Sequence, residues 1–456
     1  MQRRHVLWSL LLCLGSSATA QEAEPIVGKV PPGEPGFPGN VLVILADDLG
    51  VDQLGVYGLG AQLPNTPNID ALAAKGVVFE NAWANPICSP TRAAIQTGRY
   101  GFRTNIGSII EESPSELALA EITIPEMLEL GAPGVWAHAL IGKWHLDDVD
   151  TGQDKPNEQG YSHFSGTLGN IEEGSYTHWP KVVNGVMSLS QAYATSNQVD
   201  DTLSWVKSAP EPWFTLLAFS APHKPFHAPP ANLHTVDLTG LDPLIDPKPF
   251  YNAMVEAMDT EMGRLFATMD QELLKRTTIL FLGDNGSHPD VVLPPFIPEK
   301  AKATPYIGGV RVPFIATGFR VQQEGHLSLS MIHAVDILAT VANIAGINPA
   351  VAMQGVTLDS RSFLPLLENT SAPPPRSTLY SEFFWPNDFA MATVLDQTIR
   401  GERYKLVTGP APTGEFFDMW VDPLETFNLL SQPLTPEEAA AFIKLRDDLF
   451  ELVTSP

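Results

Sequence analysis

The chain has 456 residues, 44% of them hydrophobic, with 27 Lys and Arg against 52 Asp and Glu and a formal charge of −25 at pH 7. That hydrophobic content supports a sizeable core and excludes disorder, and the length permits two or three domains. The negative charge opposes nucleic acid and anionic membrane as partners and disfavours long polyanionic substrates, although a local basic pocket can overrule the global field.

Residues 1–20 begin with Arg3 and Arg4, continue through an apolar run over 6–14 and end on Ala18-Thr19-Ala20. A basic start, a short apolar stretch and a small-residue cleavage site make a secretory signal peptide, too short to span a bilayer. The expectation is an exported protein, periplasmic or secreted, with no membrane association. Of the two Cys, Cys13 lies in this leader. Cys88 is then the only thiol left, cannot form an internal disulfide, and must be either buried or chemically used.

After a Pro- and Gly-rich lead-in over 21–39, the continuous apolar run 41–46 reads as a strand buried on both faces and ends in Asp47-Asp48. Asn68 is placed to cap a short helix over 69–75, stopped by Gly76, and 77–79 resumes as a strand. A helix start follows Cys88. Helices are expected over 122–130, 191–207, 250–274 and 331–345, and strands over 135–141, 213–220, 277–282 and 312–316. Met254, Met258, Met262 and Leu265 share one face of the long helix and read as core filling. No internal repeat is present. Beyond about residue 350 the pattern changes to short strands over 378–384, 392–399, 404–407 and 415–419, then a helix over 436–453. The fold class is therefore α/β, a mostly parallel central sheet flanked by helices over 21–350, with a smaller antiparallel sheet and helix over 351–456.

Asp47, Asp48, Lys143, His145, His223, Asp284 and Asn285 all fall just past the end of an apolar run. Ligands in open α/β sheets bind outside the carboxyl ends of the strands, so these residues are expected to meet at one edge. Asp47, Asp48, Asp284 and Asn285 offer only oxygen ligands, which suits a hard divalent cation, Ca²⁺ or Mg²⁺, better than zinc. The plainer alternative makes Asp47-Asp48 a cap and Asp284-Asn285-Gly286 a turn. Arg92, Lys143, His145, His223 and Lys302 would set a dense positive group beside that metal. Such a group fits a tetrahedral oxyanion whose charge grows as an ester bond breaks.

Cys88-Ser89-Pro90-Thr91-Arg92, with Thr97-Gly98-Arg99, resembles the signature of the type I sulfatases. The resemblance runs through Ala46-Asp47-Asp48, Pro67-Asn68-Ile69, Gly142-Lys143-Trp144-His145, Pro222-His223-Lys224-Pro225 and Gly283-Asp284-Asn285-Gly286. It continues through Lys302 and Gly308-Gly309 to Tyr404-Lys405-Leu406 and Asp422-Pro423-Leu424-Glu425. It implies an alkaline-phosphatase-like fold. It also implies that Cys88 is oxidised to Cα-formylglycine by a separate enzyme reading Cys-x-Pro-x-Arg. One hydroxyl of the hydrated aldehyde would attack sulfur and release the alcohol; the other would re-form the aldehyde as sulfate leaves. By position, Asp47, Asp48, Asp284 and Asn285 would bind Ca²⁺, with Mg²⁺ the lesser candidate. Arg92 would steady the diol, Lys143 and Lys302 would hold sulfate oxygens, and His145 would assist release of sulfate. His223 would hydrogen-bond or protonate the leaving oxygen, with Lys302 as a possible partner, and Asp284 could take the attacking hydroxyl's proton. Thr91, Asp147 and Ile307 depart from the family's usual Ser, Gly and acid. The sequence around Asn170, where a further family contact would fall, matches only loosely.

The leading expectation is a Ca²⁺-dependent sulfuric-ester hydrolase acting on a small-molecule or glycan sulfate ester. Two other readings use the same residues: a phosphodiesterase or phosphonate monoester hydrolase, and a non-catalytic protein that binds sulfated ligands. Oligomeric state is not legible. Around the site, the loop 224–249 and the aromatics Tyr161, Phe164, Tyr176 and Trp179 could wall a pocket for an aryl group or a sugar face, or could simply pack their loops.

Overall fold

The computed structural model describes residues 34, 36–110, 116–150, 152–171, 176–409 and 413–455; the leader read over 1–20, with Cys13, lies outside them. Ten strands form one sheet: β1 Asn40–Ala46, β2 Val77–Trp83, β3 Ala137–Lys143, β4 His163–Thr167, β5 Trp179–Val183, β6 Val186–Ser190, β7 Trp213–Ala218, β8 Thr277–Gly283, β9 Phe314–Gly318 and β10 His326–His333. Their order is β10-β2-β9-β8-β1-β7-β3-β4-β5-β6. β1 sits between β7 and β8, parallel to both. Only β9 and β5 run against their neighbours in an otherwise parallel sheet.

The central position of β1 explains its unbroken apolar sequence. Val41, Val43 and Leu45 enter one core, while Leu42, Ile44 and Ala46 enter the core on the other face. Helices Cys88–Thr97, Ile124–Gly131 and Ile337–Ile344 cover the first face. Helices Pro67–Ala74, Ala194–Ser208 and Pro247–Thr268 cover the second. Met254, Met258, Met262 and Leu265 are fully buried there, as core filling. Burying each such side chain contributes roughly 1.5–3 kcal/mol.

A second sheet, β11 Leu379–Trp385, β12 Val394–Arg400, β13 Tyr404–Thr408 and β14 Glu415–Asp418, is antiparallel throughout. It packs with the last helix, Pro436–Thr454, and with Ala94 and Tyr100 of the segment that follows Cys88. Among the described residues no helix is long and apolar enough to cross a membrane.

Four expectations are corrected. The helix at 67 begins on Pro67 with Thr66 before it, so Asn68 is not its cap. Its first N–H groups are satisfied from outside: Asp259 accepts from the backbone of Asn68 and Ile69. The long helix stops at Thr268, and Asp270 starts a separate short helix by accepting from Glu272 and Leu273. The strand read over 312–316 is shifted to Phe314–Gly318. The helix read over 331–345 begins only at Ile337, because 331–333 extend β10 along β2.

Candidate active site

The carboxyl ends of β1, β3, β7 and β8 bring the predicted residues together. Asp47 and Asp48 follow β1, Lys143 closes β3, His223 follows β7, and Asp284 and Asn285 follow β8. All six are buried. Cys88 begins the helix Cys88–Thr97 beside them and is 1% exposed. Ligand atoms of Asp47, Asp48, Cys88 and His223 all lie within 4.8 Å of one another.

Close backbone approach makes this possible. A Cβ on Gly142, in β3, would lie 1.8 Å from the Ala218 carbonyl oxygen of β7, and one on Gly286 would lie 1.9 Å from the Gly308 carbonyl oxygen. Only glycine fits at either place. Asp48 takes a left-handed backbone, φ 66°, which turns its side chain relative to Asp47. The Thr91 hydroxyl accepts the Asn85 N–H at 2.9 Å and holds the turn that leads into Cys88.

Three cations meet the acids. The Lys143 ammonium donates to Asp47 Oδ2 at 2.6 Å, and Lys302 lies 2.5 Å from Asp48 Oδ1. Arg92 forks onto Asp284 Oδ2 through two nitrogens at 2.7 and 3.2 Å, and donates a third bond to the Lys143 carbonyl at 2.8 Å. The Asp48 N–H donates to Asp284 Oδ1, and the Asn285 amide donates to Asp48 Oδ1. His223 points Nε2 at Asp48 Oδ2, 3.8 Å away, while Nδ1 contacts the Lys224 carbonyl at 2.6 Å. That contact assigns the proton of the neutral ring to Nδ1. His145 is fully buried with a left-handed backbone, φ 59°.

Burial works against charge on every one of these groups. It is overcome at Asp47, which Lys143, His223, Arg92 and Lys302 hold well below the usual carboxylate range. It is overcome at Asp48 too, through Lys302 and His223. At Asp284 burial wins, reinforced by Asp47, and the carboxyl rises to about 7 despite Arg92. Burial also pulls His223 down to about 4 and pushes the Cys88 thiol up to about 12. A thiol so placed is a poor nucleophile at neutral pH.

Three buried oxygens here accept no hydrogen bond: Asp47 Oδ1, Asp48 Oδ2 and Asn285 Oδ1. Unsatisfied acceptors in a dry site are costly, and a hard cation with oxygen preference satisfies them. The two oxygens of Asp284 are already engaged by Arg92 and the Asp48 N–H.

Of the supporting residues, Tyr251 was not singled out from sequence, and Asn170 and Tyr176 were named there without these roles. Asn170 accepts from the Lys143 ammonium at 2.6 Å, opposite Asp47. The Tyr176 hydroxyl lies 2.6 Å from the Ser220 carbonyl and 2.8 Å from that of His223, clasping the turn that carries His223. The Tyr251 hydroxyl donates to the Asp48 carbonyl at 2.9 Å. Tyr161, Phe164, Tyr176 and Trp179 are all buried, Phe164 in β4 and Trp179 in β5. Asp147 is buried too; its carboxylate accepts from the Trp144 indole, and burial pushes it up to about 8. Ile307 donates its N–H to Glu425.

Residues 39–347 match the family model described as Sulfatase, and residues 302–453 match the one described as N-sulphoglucosamine sulphohydrolase, C-terminal. The chain is 29% identical to N-acetylgalactosamine-6-sulfatase of Sus scrofa over 382 residues, covering 75% of this chain and 67% of that protein. It is 29% identical to arylsulfatase A of Homo sapiens over 392 residues, covering 77% and 71%. Among solved structures it resembles Ps i-CgsB in complex with k-i-k-neocarrahexaose, with a TM-score of 0.74 at 23% identity over 91% of this chain and 93% of that one. At that identity the likeness shows the fold.

Proposed function

The chain belongs to the sulfatase family, in the alkaline phosphatase superfamily, and is a sulfuric-ester hydrolase; we propose that it cleaves sulfate monoesters with Cys88, converted to Cα-formylglycine, as the source of the attacking hydroxyl. The observation that carries this reading is the convergence of Cys88 with Asp47, Asp48 and His223 within 4.8 Å, ringed by Arg92, Lys143 and Lys302. A doubly hydroxylated carbon at that point can attack sulfur with one oxygen and later expel sulfate through the other, which a simple alcohol cannot do.

Asp47, Asp48 and Asn285, with Asp284, would hold Ca²⁺, and their unpartnered oxygens support that fit. When bound, the ion would draw charge from the sulfate oxygens and lower the pKa of the attacking hydroxyl. Arg92, already forked onto Asp284, steadies the nucleophile's position. Lys143 and Lys302 hold the sulfate oxygens and can exchange their carboxylate partners for them. His145 assists the release of sulfate. His223 faces the leaving oxygen through Nε2; protonated on both nitrogens, it donates there while the Lys224 carbonyl keeps Nδ1–H in place. Asp284, on which Arg92 forks, would take the proton of the attacking hydroxyl.

The helix Cys88–Thr97 is buried along its whole length. A maturation enzyme that reads Cys88, Pro90 and Arg92 must therefore act before the chain folds. The leader-like residues 1–20 support export, which suits a modification made on an unfolded chain in transit. The names of two relatives, N-acetylgalactosamine-6-sulfatase and arylsulfatase A, support a small-molecule or glycan sulfate ester as the substrate class.

The test is mass spectrometry of the peptide holding Cys88 in exported protein, with steady-state assays of wild type and Cys88→Ala on matched sulfate and phosphate esters. An aldehyde in place of the thiol, sulfate preferred over phosphate, and loss of turnover in folded Cys88→Ala are expected. An unmodified thiol with full sulfatase activity would remove the nucleophile assignment. Phosphate preference would move the reading to a phosphoester hydrolase.

A further inference from the structure

We propose that the substrate is a singly sulfated ester of a hydrophobic alcohol, and that the alcohol portion seats in the cleft on the His223 side of the reacting centre. This rests on the reading of the site as a sulfatase in which His223 faces the leaving oxygen.

The two sides of the centre differ. On the Lys143 side the ammonium is held between Asp47 and Asn170, and Asn170 also lines a smaller cleft of about 350 Å³ with Asp150, Thr167 and Met187. On the His223 side the chain passes at once into an open cleft of about 600 Å³ between the 224–227 and 243–247 segments, edged by Asp290. That volume suits a drug-sized molecule. Its floor includes Phe226, packed edge-on against Tyr251 at 5.8 Å and His288 at 6.0 Å between ring centres. Tyr251 is the residue that holds the Asp48 carbonyl, so the apolar floor is tied to the acids of the site.

The lip is more telling. Leu244 is 85% exposed and Ile245 is 77% exposed, two adjacent aliphatic side chains facing water at the mouth of a cleft. They are not on a free loop. Asp242 accepts from the Leu244 N–H through its side chain at 2.9 Å, and from the Ile245 and Asp246 N–H groups through its carbonyl at 3.0 and 2.7 Å. A hydrogen-bonded turn thus presents the pair in a fixed position. Exposed aliphatics rimming a preformed cleft mark a surface that gains by being covered. The charged groups of the lining, Lys224 and Asp290, are of opposite sign, so the cleft offers no net positive field for a second sulfate. The chain's charge of −25 works in the same direction.

A chain-length series tests this with leaving alcohols of similar acidity. The matured enzyme is assayed on ethyl, butyl and hexyl sulfate and on galactose 6-sulfate, and titration calorimetry measures binding of the same esters to Cys88→Ala. Specificity kcat/KM is expected to rise about threefold per added methylene, mostly through KM, as burial of each group predicts. Hexyl sulfate should exceed galactose 6-sulfate, and affinity for Cys88→Ala should follow the same slope. Leu244→Ser/Ile245→Ser should flatten the slope in both measurements. Hydrolysis with no dependence on chain length, or preference for the sulfated sugar, would overturn the inference and leave the sulfatase reading standing. Failure to hydrolyse any sulfate ester would overturn both.

Discussion

Lys405 of β13 and Glu425 of the loop after β14 form an ion pair in which both side chains are wholly buried. The pair grips the segment that carries Lys302. Lys405 also donates to the Pro305 carbonyl at 2.8 Å, and Glu425 accepts the Ile307 N–H at 2.8 Å. Its ring of contacts extends to Trp83, whose face lies 4.9 Å from the ammonium. On its other side the same segment is tied to the site: the Lys302 N–H donates to the Ser287 carbonyl and the Ala303 N–H to that of Pro86. The small sheet thus acts at a distance on where Lys302 stands.

Removing one partner of this pair leaves an uncompensated buried charge. Lys405→Met is expected to cost about 3–5 kcal/mol in urea denaturation. Glu425→Gln keeps an acceptor for Ile307 but strands the ammonium. The double variant should cost less than the sum of the two by at least ~1 kcal/mol. Additive losses would show that the two charges do not depend on each other.

Glu382 gives a pH signature remote from the proposed metal ligands. It is fully buried on β11, accepts from the Phe102 N–H and the Tyr380 hydroxyl, and burial raises it from 4.5 to about 7. The folded state therefore binds its proton more tightly than the unfolded chain. The stability this contributes is present below pH 4.5 and is lost as pH rises through 7. Glu382→Gln, which stays neutral, should gain on wild type by up to about 3 kcal/mol between pH 4.5 and 8, measured by denaturant titration at each pH. A difference that does not move with pH would mean that the carboxyl is ionised in the fold throughout.

Calcium should be visible as stability, independent of turnover. Protein stripped with a chelator is expected to melt lower than protein given Ca²⁺. Stabilisation should reach about 2.7 kcal/mol when the ion stands at 100 times its dissociation constant. Mg²⁺, which keeps its waters and demands octahedral geometry, should stabilise less. Asp47→Asn/Asp48→Asn should abolish the shift in melting temperature. An undiminished Ca²⁺ shift in that variant would place the ion elsewhere.

Tyr176→Phe removes the hydroxyl that clasps the Ser220 and His223 carbonyls. The two buried carbonyls lose the single O–H they share, at a cost of about 1–3 kcal/mol. Because those carbonyls set the turn bearing His223, kcat on an alkyl sulfate is expected to fall about tenfold with KM little changed. A kcat equal to wild type in the destabilised variant would confine Tyr176 to a structural part.

Much of the fold was legible because the signals are local. β1 and β8 announce themselves as continuous apolar runs, since a central parallel strand is buried on both faces. The outer strands carry no such mark. β6 has Val186, Met187 and Leu189 exposed, and no run or alternation separates it from a loop. In β10, Met331 to His333 share an apolar spacing with the helix that follows, and only pairing with β2 decides that they are extended. The site divided the same way. Asp47, Asp48, Asp284 and Asn285 stood out at strand ends. Asn170 and Tyr176 lie in irregular segments: the resemblance pointed only loosely to the stretch around Asn170, and nothing local tied Tyr176 to His223.

Sequence by itself determined the chemical inventory: oxygen ligands at strand ends, a cysteine in a Cys-x-Pro-x-Arg setting, and basic residues that follow buried strands. Residue identity and short spacing carry those facts, because they depend on covalent order alone. Tertiary structure decided the pairing. Arg92 forks onto Asp284 across 192 residues, Lys143 takes Asp47 and Lys302 takes Asp48. It also decided which oxygens are left without a donor and on which side of His223 the cleft opens. Those outcomes depend on which strands lie side by side in the sheet and how closely they approach, which no stretch of a few residues encodes.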